Sequence, residues 1–592
     1  MLILPLILLI AFAYIYIYIY NFVVRIPSQE KPWLKYYSNH EIHDVLPKDS
    51  IYDYLYNNNI NHLNDIAMIY YSSKIDYKTL FDNIDKCSKS LQALDVKQGD
   101  IVTIALPSVP EAMYIVYAVN KIGAIANLIH PLASANEIKN YLNEVNSEVF
   151  FMFTGTYELF SNELSETNVK HAIVISPSNS LTSLYKLIYK LSNKEKQIPN
   201  NSMCIDYNEF ISLGDNRSYQ KANRDIYQTA IISHTGGTTG EPKGCMLSDY
   251  NINSIIWQIG MLPHKRQERM LVVLPPFINY SLANSMLEPL ALGISIVLIP
   301  NYEPQKFDEY IKKYHPNHIN SIPAYWEALL KNEKLNNIDL SCLKFITAGG
   351  DGLNSKMEND LNEFLSKRGV ELKLAKGHGC TEMTSCTTFS YEKCNEVGSV
   401  GIPLVKNNCK IIDPETYEEL TYNHEGELCF SGPSLMIGYY NKLEDTNELI
   451  KIHEDGERWI HTGDLARMTE DGVVYITGRI KRIIMTKGND GIITKIFPDR
   501  IEKALIKHHA VKTCCAIGVR DKERINYPKA YVILNESYEK TDDTRKELIE
   551  YSKNELPNYM VPEDIEFIDD FPRTQRGKID YRALENRSNN LS

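Results

Sequence analysis

Short apolar runs alternate along this chain with segments of helical spacing, and that alternation restricts the folds open to it. MYIVYAVNKIGAIANLI (Met113 to Ile129) reads as a helix leading into a buried strand, and SEVFFMF and HAIVIS read as short parallel strands. Parallel neighbours need crossover connections, so repeats of this unit predict an α/β fold with helices packed over mostly parallel sheets. At 592 residues the chain is too long for one core and should divide into at least two domains. Between about 190 and 225 the pattern lapses. SNKEKQIPNN and GDNRSYQKANRD are polar and rich in turn formers, which predicts exposed connection.

With 44% hydrophobic and 23% charged residues the chain is globular in composition. A formal charge of -12 argues against nucleic acid as the main partner, because that affinity rests on clustered Lys and Arg. Eleven cysteines, an odd number with no CxxC pair, point to reduced thiols rather than a disulfide framework or a zinc site. Cys514 and Cys515, in VKTCCAIGV, read as buried strand positions.

The first 24 residues carry no charged side chain, and as a helix they would reach about 36 Å, enough for a hydrocarbon core. A signal peptide would want a basic start and a small-residue cleavage site, and the alternating YIYIYIY could also form a strand. The expectation is a transmembrane anchor over 1–24 and a juxtamembrane linker over 25–44. Arg25, Lys31 and Lys35 on its C-terminal flank would then place the catalytic remainder in the cytosol, a single-pass membrane protein.

TGGTTGEPKG, residues 235–244, follows the apolar run TAIIS. Such a stretch builds no core, and it lacks the Gly-Lys-Ser/Thr ending of a Walker A loop. Before LSDYNINSIIWQI, whose isoleucines fall on one helix face behind Ser248 as N-cap, it reads as a strand, phosphate loop and helix.

Further motifs follow in order: GGDGL from Gly349, GCTEM from Gly379, GSVGIP from Gly398, GELCFSGPSLMIGYY from Gly426, WIHTGDLARMTEDGVVYITGRIKRII from Trp459 and PRTQRGKIDYRAL from Pro572. Together with the loop they resemble the adenylate-forming superfamily of acyl-CoA synthetases, luciferases and adenylation domains, from about residue 45 to 585. The resemblance implies a large N-terminal AMP-binding domain (45–480), a small mobile α+β C-terminal domain (481–586) and a short disordered tail (587–592). Such enzymes join a carboxylate to the α-phosphate of ATP, expel pyrophosphate and usually pass the acyl group to a thiol.

The resemblance also implies roles. Thr235, Gly236, Gly237, Thr238, Thr239 and Gly240 would hold the β and γ phosphates, with Lys243 as a cation and Thr239 among the catalytic groups. Glu382 would ligate Mg²⁺, a hard ion that suits carboxylate oxygen, with Thr381 on the α-phosphate. Gly350, Asp351 and Gly352 would line the adenine beside His378 and Gly379, His378 standing where the family usually has another aromatic. Asp464 would accept from the ribose hydroxyls and Arg479 would reach ribose or phosphate. Lys481 would be the hinge, and Lys578 would bridge carboxylate and α-phosphate in one domain orientation only. The interval from Gly488 to Pro498 is longer than the family pattern and bears on thiol delivery.

For the acyl group, Phe277 and Ile278 occupy the place where amino-acid-activating members put a Phe-Asp pair. An isoleucine there gives a substrate ammonium no partner, so an apolar acid is expected. The cofactors implied are ATP, Mg²⁺ and CoA, or a phosphopantetheine carrier. The leading expectation is an acyl-CoA synthetase for a fatty or other apolar acid, against a carrier-protein ligase of the same fold or an inactive adenylate-binding scaffold.

Overall fold

The expected alternation resolves into two large sheets in the computed structural model, which describes residues 25–160, 163–192, 203–235, 242–262, 264–487, 493–521, 524–573 and 579–589. In the first sheet Ile101–Ala105 lies between Ile125–Leu128 and Val149–Phe153, and parallel pairing continues outward through His171–Ile175 and Cys204–Asp206. On its other side Thr229–His234 adds in parallel to Ile125–Leu128. The second sheet runs in parallel through Phe345–Ala348, His318–Ser321, Arg269–Val272, Ser295–Leu298 and Ile66–Tyr70, with Ser73–Asp76 antiparallel at its edge. Helix Pro110–Lys121 buries eleven of its twelve residues, Glu111 and Asn120 among them. It lies in the core shared by both sheets, where Val116 and Val119 join Val102 of one and Met68 of the other.

An antiparallel sheet completes the N-terminal part: Asn408–Ile412, Gly426–Ser431, Arg458–Met468 and Ile450–Ile452, with Val474–Arg479 also paired to Arg458–Met468. The C-terminal part has its own core, in which Ile501, Leu505, Val532, Leu548 and Ile565 pack together. Its sheet joins Val511–Asp521, Ile525–Leu534 and Asp564–Phe567, and Cys514 and Cys515 are buried strand positions as expected. The long interval after Lys487 holds the return strand of a hairpin, Ile484–Lys487 against Ile493–Ile496.

Several expectations need correction. The glycine-rich loop does not run straight into a helix. Lys243 is followed by a strand, Gly244–Ser248, antiparallel to Thr229–His234, and only then by helix Asp249–Ile259, which Ser248 caps as expected. The loop therefore connects two antiparallel strands. The segment 190–225 is not wholly exposed connection, since Cys204–Asp206 is a strand and helix Tyr207–Ser212 buries Tyr207 and Phe210. Arg224 is also buried, in an ion pair with Asp249.

Residues 25–44 are docked rather than a linker. Trp33 is fully buried, and at Gly472 (φ +85°) a Cβ would fall 2.6 Å from the Trp33 nitrogen, so only glycine lets the two segments meet. The cations read as a topology signal serve this docking: Arg25 pairs with Glu470, Lys35 with Asp471, and Lys31 Nζ donates to Asn408 Oδ1. Among the described residues no helix is long and apolar enough to cross a membrane. The longest, Tyr77–Ala93, has 17 residues and would reach only about 26 Å. That corrects the expectation of a single-pass membrane protein and the cytosolic placement drawn from it. The run 1–24 itself lies outside the described residues.

Candidate active site

A cavity of about 880 Å³ opens where the second sheet, the antiparallel sheet and the C-terminal part meet, and most of the motif residues face it. Asp464 and Arg479 are opposite each other on Arg458–Met468 and Val474–Arg479, so strand pairing alone brings the charges together. Arg479 Nε lies 2.7 Å from Asp464 Oδ1, with the aspartate side chain 6% exposed and the arginine 47%. His378 follows strand Ala375–Lys376, and its Nε2 is 2.8 Å from Asp464 Oδ2 while its Nδ1 is 2.8 Å from Thr387 Oγ1. Expected to line a purine, His378 thus commits both ring nitrogens to neighbours and holds Asp464 in place. Gly379 makes the turn possible, since a Cβ there would sit 1.9 Å from the Ser385 carbonyl oxygen.

Glu382 stands in a 3-10 turn, Thr381–Met383, and its Oε1 accepts from Tyr439 Oη at 2.7 Å. Burial and then the Glu382 carboxylate push the Tyr439 phenol well up, which keeps it a donor. Tyr439 belongs to a two-residue strand paired with Gly244–Ser248, so the strand leaving the glycine-rich loop also positions the partner of Glu382. At the neck of that loop Thr235 N donates to Lys243 O at 2.9 Å and Lys243 N donates to Thr235 Oγ1 at 3.1 Å. Lys243 Nζ is ion-paired with Asp445 and lies 5.1 Å from the Tyr439 ring centroid.

Gly350 lines the cavity with φ +81°, a conformation that favours glycine, whereas Asp351 and Gly352 are exposed and off it. Ile278 lines it, but Phe277 is buried against the His130 ring, 4.3 Å between centroids. The hinge expected at Lys481 falls in a 3-10 turn, Ile480–Arg482. Arg479 on one side is tied to Asp464, and Arg482 on the other is tied to Glu502 at 2.5 Å, so the backbone at 481 joins two anchored points. From the C-terminal part Tyr581 and Arg582 line the cavity, shortly after Lys578 in sequence. Gly236, Gly237, Thr238, Thr239, Gly240 and Lys578 lie outside the described residues.

Sequence reasoning missed several contributors. Glu427 Oε1 accepts from Gly463 N at 3.0 Å and its Oε2 is 2.9 Å from His461 Nδ1, which braces the turn before Asp464. Tyr439, Glu427 and His461 all stood inside quoted motifs, so attention to their polar side chains could have found them. Asn284, Asn320 and Thr347, which line the cavity with Leu274 and Phe389, come from three separate stretches and carried no such signal, whereas Asn279 and Tyr280 stood one and two residues after Ile278 as register alternatives for the acyl site.

The donor set fits the groups expected of it. Glu382 offers hard carboxylate oxygen suited to Mg²⁺ shared with phosphates, and Asp464 is a fixed two-oxygen acceptor suited to a pair of hydroxyls.

Residues 57–440 match the family described as AMP-binding enzyme, and residues 500–578 match the AMP-binding enzyme C-terminal domain. The chain is 28% identical to the long-chain-fatty-acid–CoA ligase of Bacillus subtilis over 571 residues, which cover 94% of this chain and 98% of that protein. It is 28% identical to the probable 4-coumarate–CoA ligase 3 of Dictyostelium discoideum, covering 86% and 89%. The fold is shared with ATP-bound MatB from Rhodopseudomonas palustris (TM-score 0.78, 19% identity, 92% of this chain and 99% of that one). It is shared also with the anthranilate CoA ligase AuaEII in complex with anthranoyl-AMP (TM-score 0.77, 21% identity, 93% and 99%).

Proposed function

Because the chain belongs to the AMP-binding enzyme family, we propose that it activates a carboxylic acid with an apolar body as its acyl-adenylate and passes the acyl group to CoA. In the first step a carboxylate oxygen bonds to the α-phosphorus of ATP and the bond to the bridging oxygen breaks, releasing pyrophosphate. In the second the CoA sulfur, as thiolate, attacks the acyl carbon, and AMP leaves with the C–O electron pair. The observation that carries this reading is the convergence of Lys243, Glu382, His378, Asp464 and Arg479, from distant motifs, on one cavity.

Negative charge builds where two anions meet, so fixed donors and cations supply most of the catalysis. Asp464, held by Arg479 and His378, would accept from the ribose hydroxyls. Glu382, steadied by Tyr439, would hold Mg²⁺, which offsets the charge on the phosphates when bound. Lys243 would leave Asp445 for a phosphate, and the backbone of 236–240 would cradle the rest. Lys578 would bridge carboxylate and α-phosphate in one orientation of the C-terminal domain, which pivots at Lys481. The relatives named for fatty acids and for 4-coumarate both act on acids with apolar bodies, in keeping with Ile278, Leu274 and Phe389 on the wall.

Pyrophosphate release over a panel of acids, with and without CoA, tests this. Release that depends on the acid and turns over repeatedly only with CoA is expected, and release indifferent to the acid refutes it. Lys578→Ala should lower acyl-adenylate formation by about 10²–10³ while sparing thiol transfer from supplied acyl-AMP. Equal loss of both half-reactions would remove Lys578 from its role.

A further inference from the structure

In the cavity wall formed by Tyr280, Asn284, Asn320 and Thr347, a run of neutral hydrogen bonds fixes which atoms can still bond a ligand. Asn320 Nδ2 donates to the Asn284 carbonyl at 2.7 Å and to Ser285 Oγ at 3.2 Å, so its Oδ1 is an acceptor. Thr347 Oγ1 donates to that Oδ1 at 2.8 Å. A hydroxyl has one proton. The 2.6 Å contact between Tyr280 Oη and Thr347 Oγ1 must therefore have tyrosine as donor, and the Tyr280 oxygen can only accept a further bond.

Asn279 and Asn284 repeat the pattern. Asn279 Nδ2 donates to the Thr384 carbonyl, and Asn284 Nδ2 lies 3.1 Å from Cys386 Sγ. The Oδ1 of each is buried with no hydrogen-bond partner among the described residues, the side chains belonging to residues 2% and 3% exposed. Both residues line the cavity, and Asn284 sits in a π-helical segment, Leu282–Leu287, a widened turn common at functional sites. Leu274, Phe389 and Ile259 supply apolar wall around them.

We infer that the acid activated here carries a hydrogen-bond donor, a hydroxyl or an N–H, on an otherwise apolar body, selected by Tyr280. The inference rests on the acyl-activating function proposed above. A bare hydrocarbon tail would leave the accepting position of Tyr280 Oη unused, and a site built to bond a substrate hydroxyl rejects the analogue lacking it strongly. A second carboxylate would bring only acceptors to acceptors. The lysines and arginines that line the cavity, Lys243, Lys451, Arg479 and Arg582, are on other elements.

The test is ATP-dependent pyrophosphate release by the full chain with matched acids: decanoate with its ω-hydroxy and ω-carboxy counterparts, and phenylpropanoate with its para-hydroxy counterpart. We expect kcat/KM at least about tenfold higher for the hydroxy member of one or both pairs, with the diacid slowest. Tyr280→Phe should lower the preferred hydroxy acid about tenfold and leave its parent acid within about twofold, a split that a merely structural role would not give. Parent acids used as well as hydroxy acids in both pairs, or a Tyr280→Phe loss equal for both members, would overturn the pocket chemistry while leaving acid activation intact. No release with any acid would overturn the activation itself.

Discussion

Two aspartate–arginine pairs in this protein use the same chemistry to opposite ends. Asp249 and Arg224 are sealed, with side chains 0% and 7% exposed. Asp249 also accepts from Ile51 N and Asn120 Nδ2, and Arg224 donates to the carbonyls of Ala124 and Thr229, so every partner belongs to the scaffold. Asp464 is nearly as buried, but its arginine, Arg479, is half exposed beside the cavity. Burial is costly enough at the first pair that the Asp249 carboxyl is pushed up despite Arg224 next to it. What separates a structural pair from a working one is whether a partner reaches open space, where it can exchange protein contacts for a ligand.

The largest effect should come from breaking the sealed pair. Arg224→Ala strands a buried carboxylate and should destabilise the N-terminal part by about 3–5 kcal/mol, measured by denaturant unfolding. A loss under about 1 kcal/mol would mean that water reaches Asp249 and the comparison fails.

Glu111 sharpens the contrast, because among the described residues it is a buried acid with Ser180 Oγ, at 2.5 Å, as its one polar side-chain partner and no cation bonded to it. Burial raises it from the ordinary 4.5 to about 7. Between those pH values the unfolded chain has released the proton and the folded chain has kept it, so stability should fall as pH rises from 4.5 to 7, by about 3 kcal/mol. Glu111→Gln should flatten that slope in urea titrations at each pH. A slope that survives the substitution would assign it to other groups.

At the working pair the effects should appear in rate and not in folding. Asp464→Ala should cost about a hundredfold in pyrophosphate release, roughly 2.7 kcal/mol, with the melting temperature little changed. Loss of folding in this variant would make the pair structural after all. Arg479→Ala, at the exposed end, should cost least, about tenfold, and the penalty should shrink at high salt because a half-exposed charge is screened. An effect larger than that of Asp464→Ala would reverse their order.

The charged groups of the cavity were largely legible in the sequence because they travel in short runs. HTGD and GRIK place Asp464 and Arg479 on adjacent strands, and GCTEM carries Glu382, so each run fixes its own local geometry. The neutral polar wall was legible only in part. Ile278 was read as an apolar wall and does line the cavity, but the ladder from Tyr280 through Thr347 to Asn320 joins residues 27 and 67 positions apart, through neutral groups with no pattern of their own. For His378 the sequence suggested a ring beside a purine, and the structure adds what its neighbours in sequence do not show, that Asp464, 86 residues away, takes its Nε2.

The docked start of the described chain shows the same division. Arg25, Lys31 and Lys35 beside an apolar run carry one meaning in sequence and another once Glu470, Asp471 and Asn408 are brought to them. By itself the sequence determined the alternation of strands and helices, the parallel sheets, the separate C-terminal part and the motif set, because these depend on local spacing and on burial of apolar faces. Only the tertiary structure decided that the strands flanking the glycine-rich loop form a hairpin, and which carboxylates are sealed and which face the cavity. Those depend on contacts between distant segments, where one hydrogen bond fixes the direction of the next.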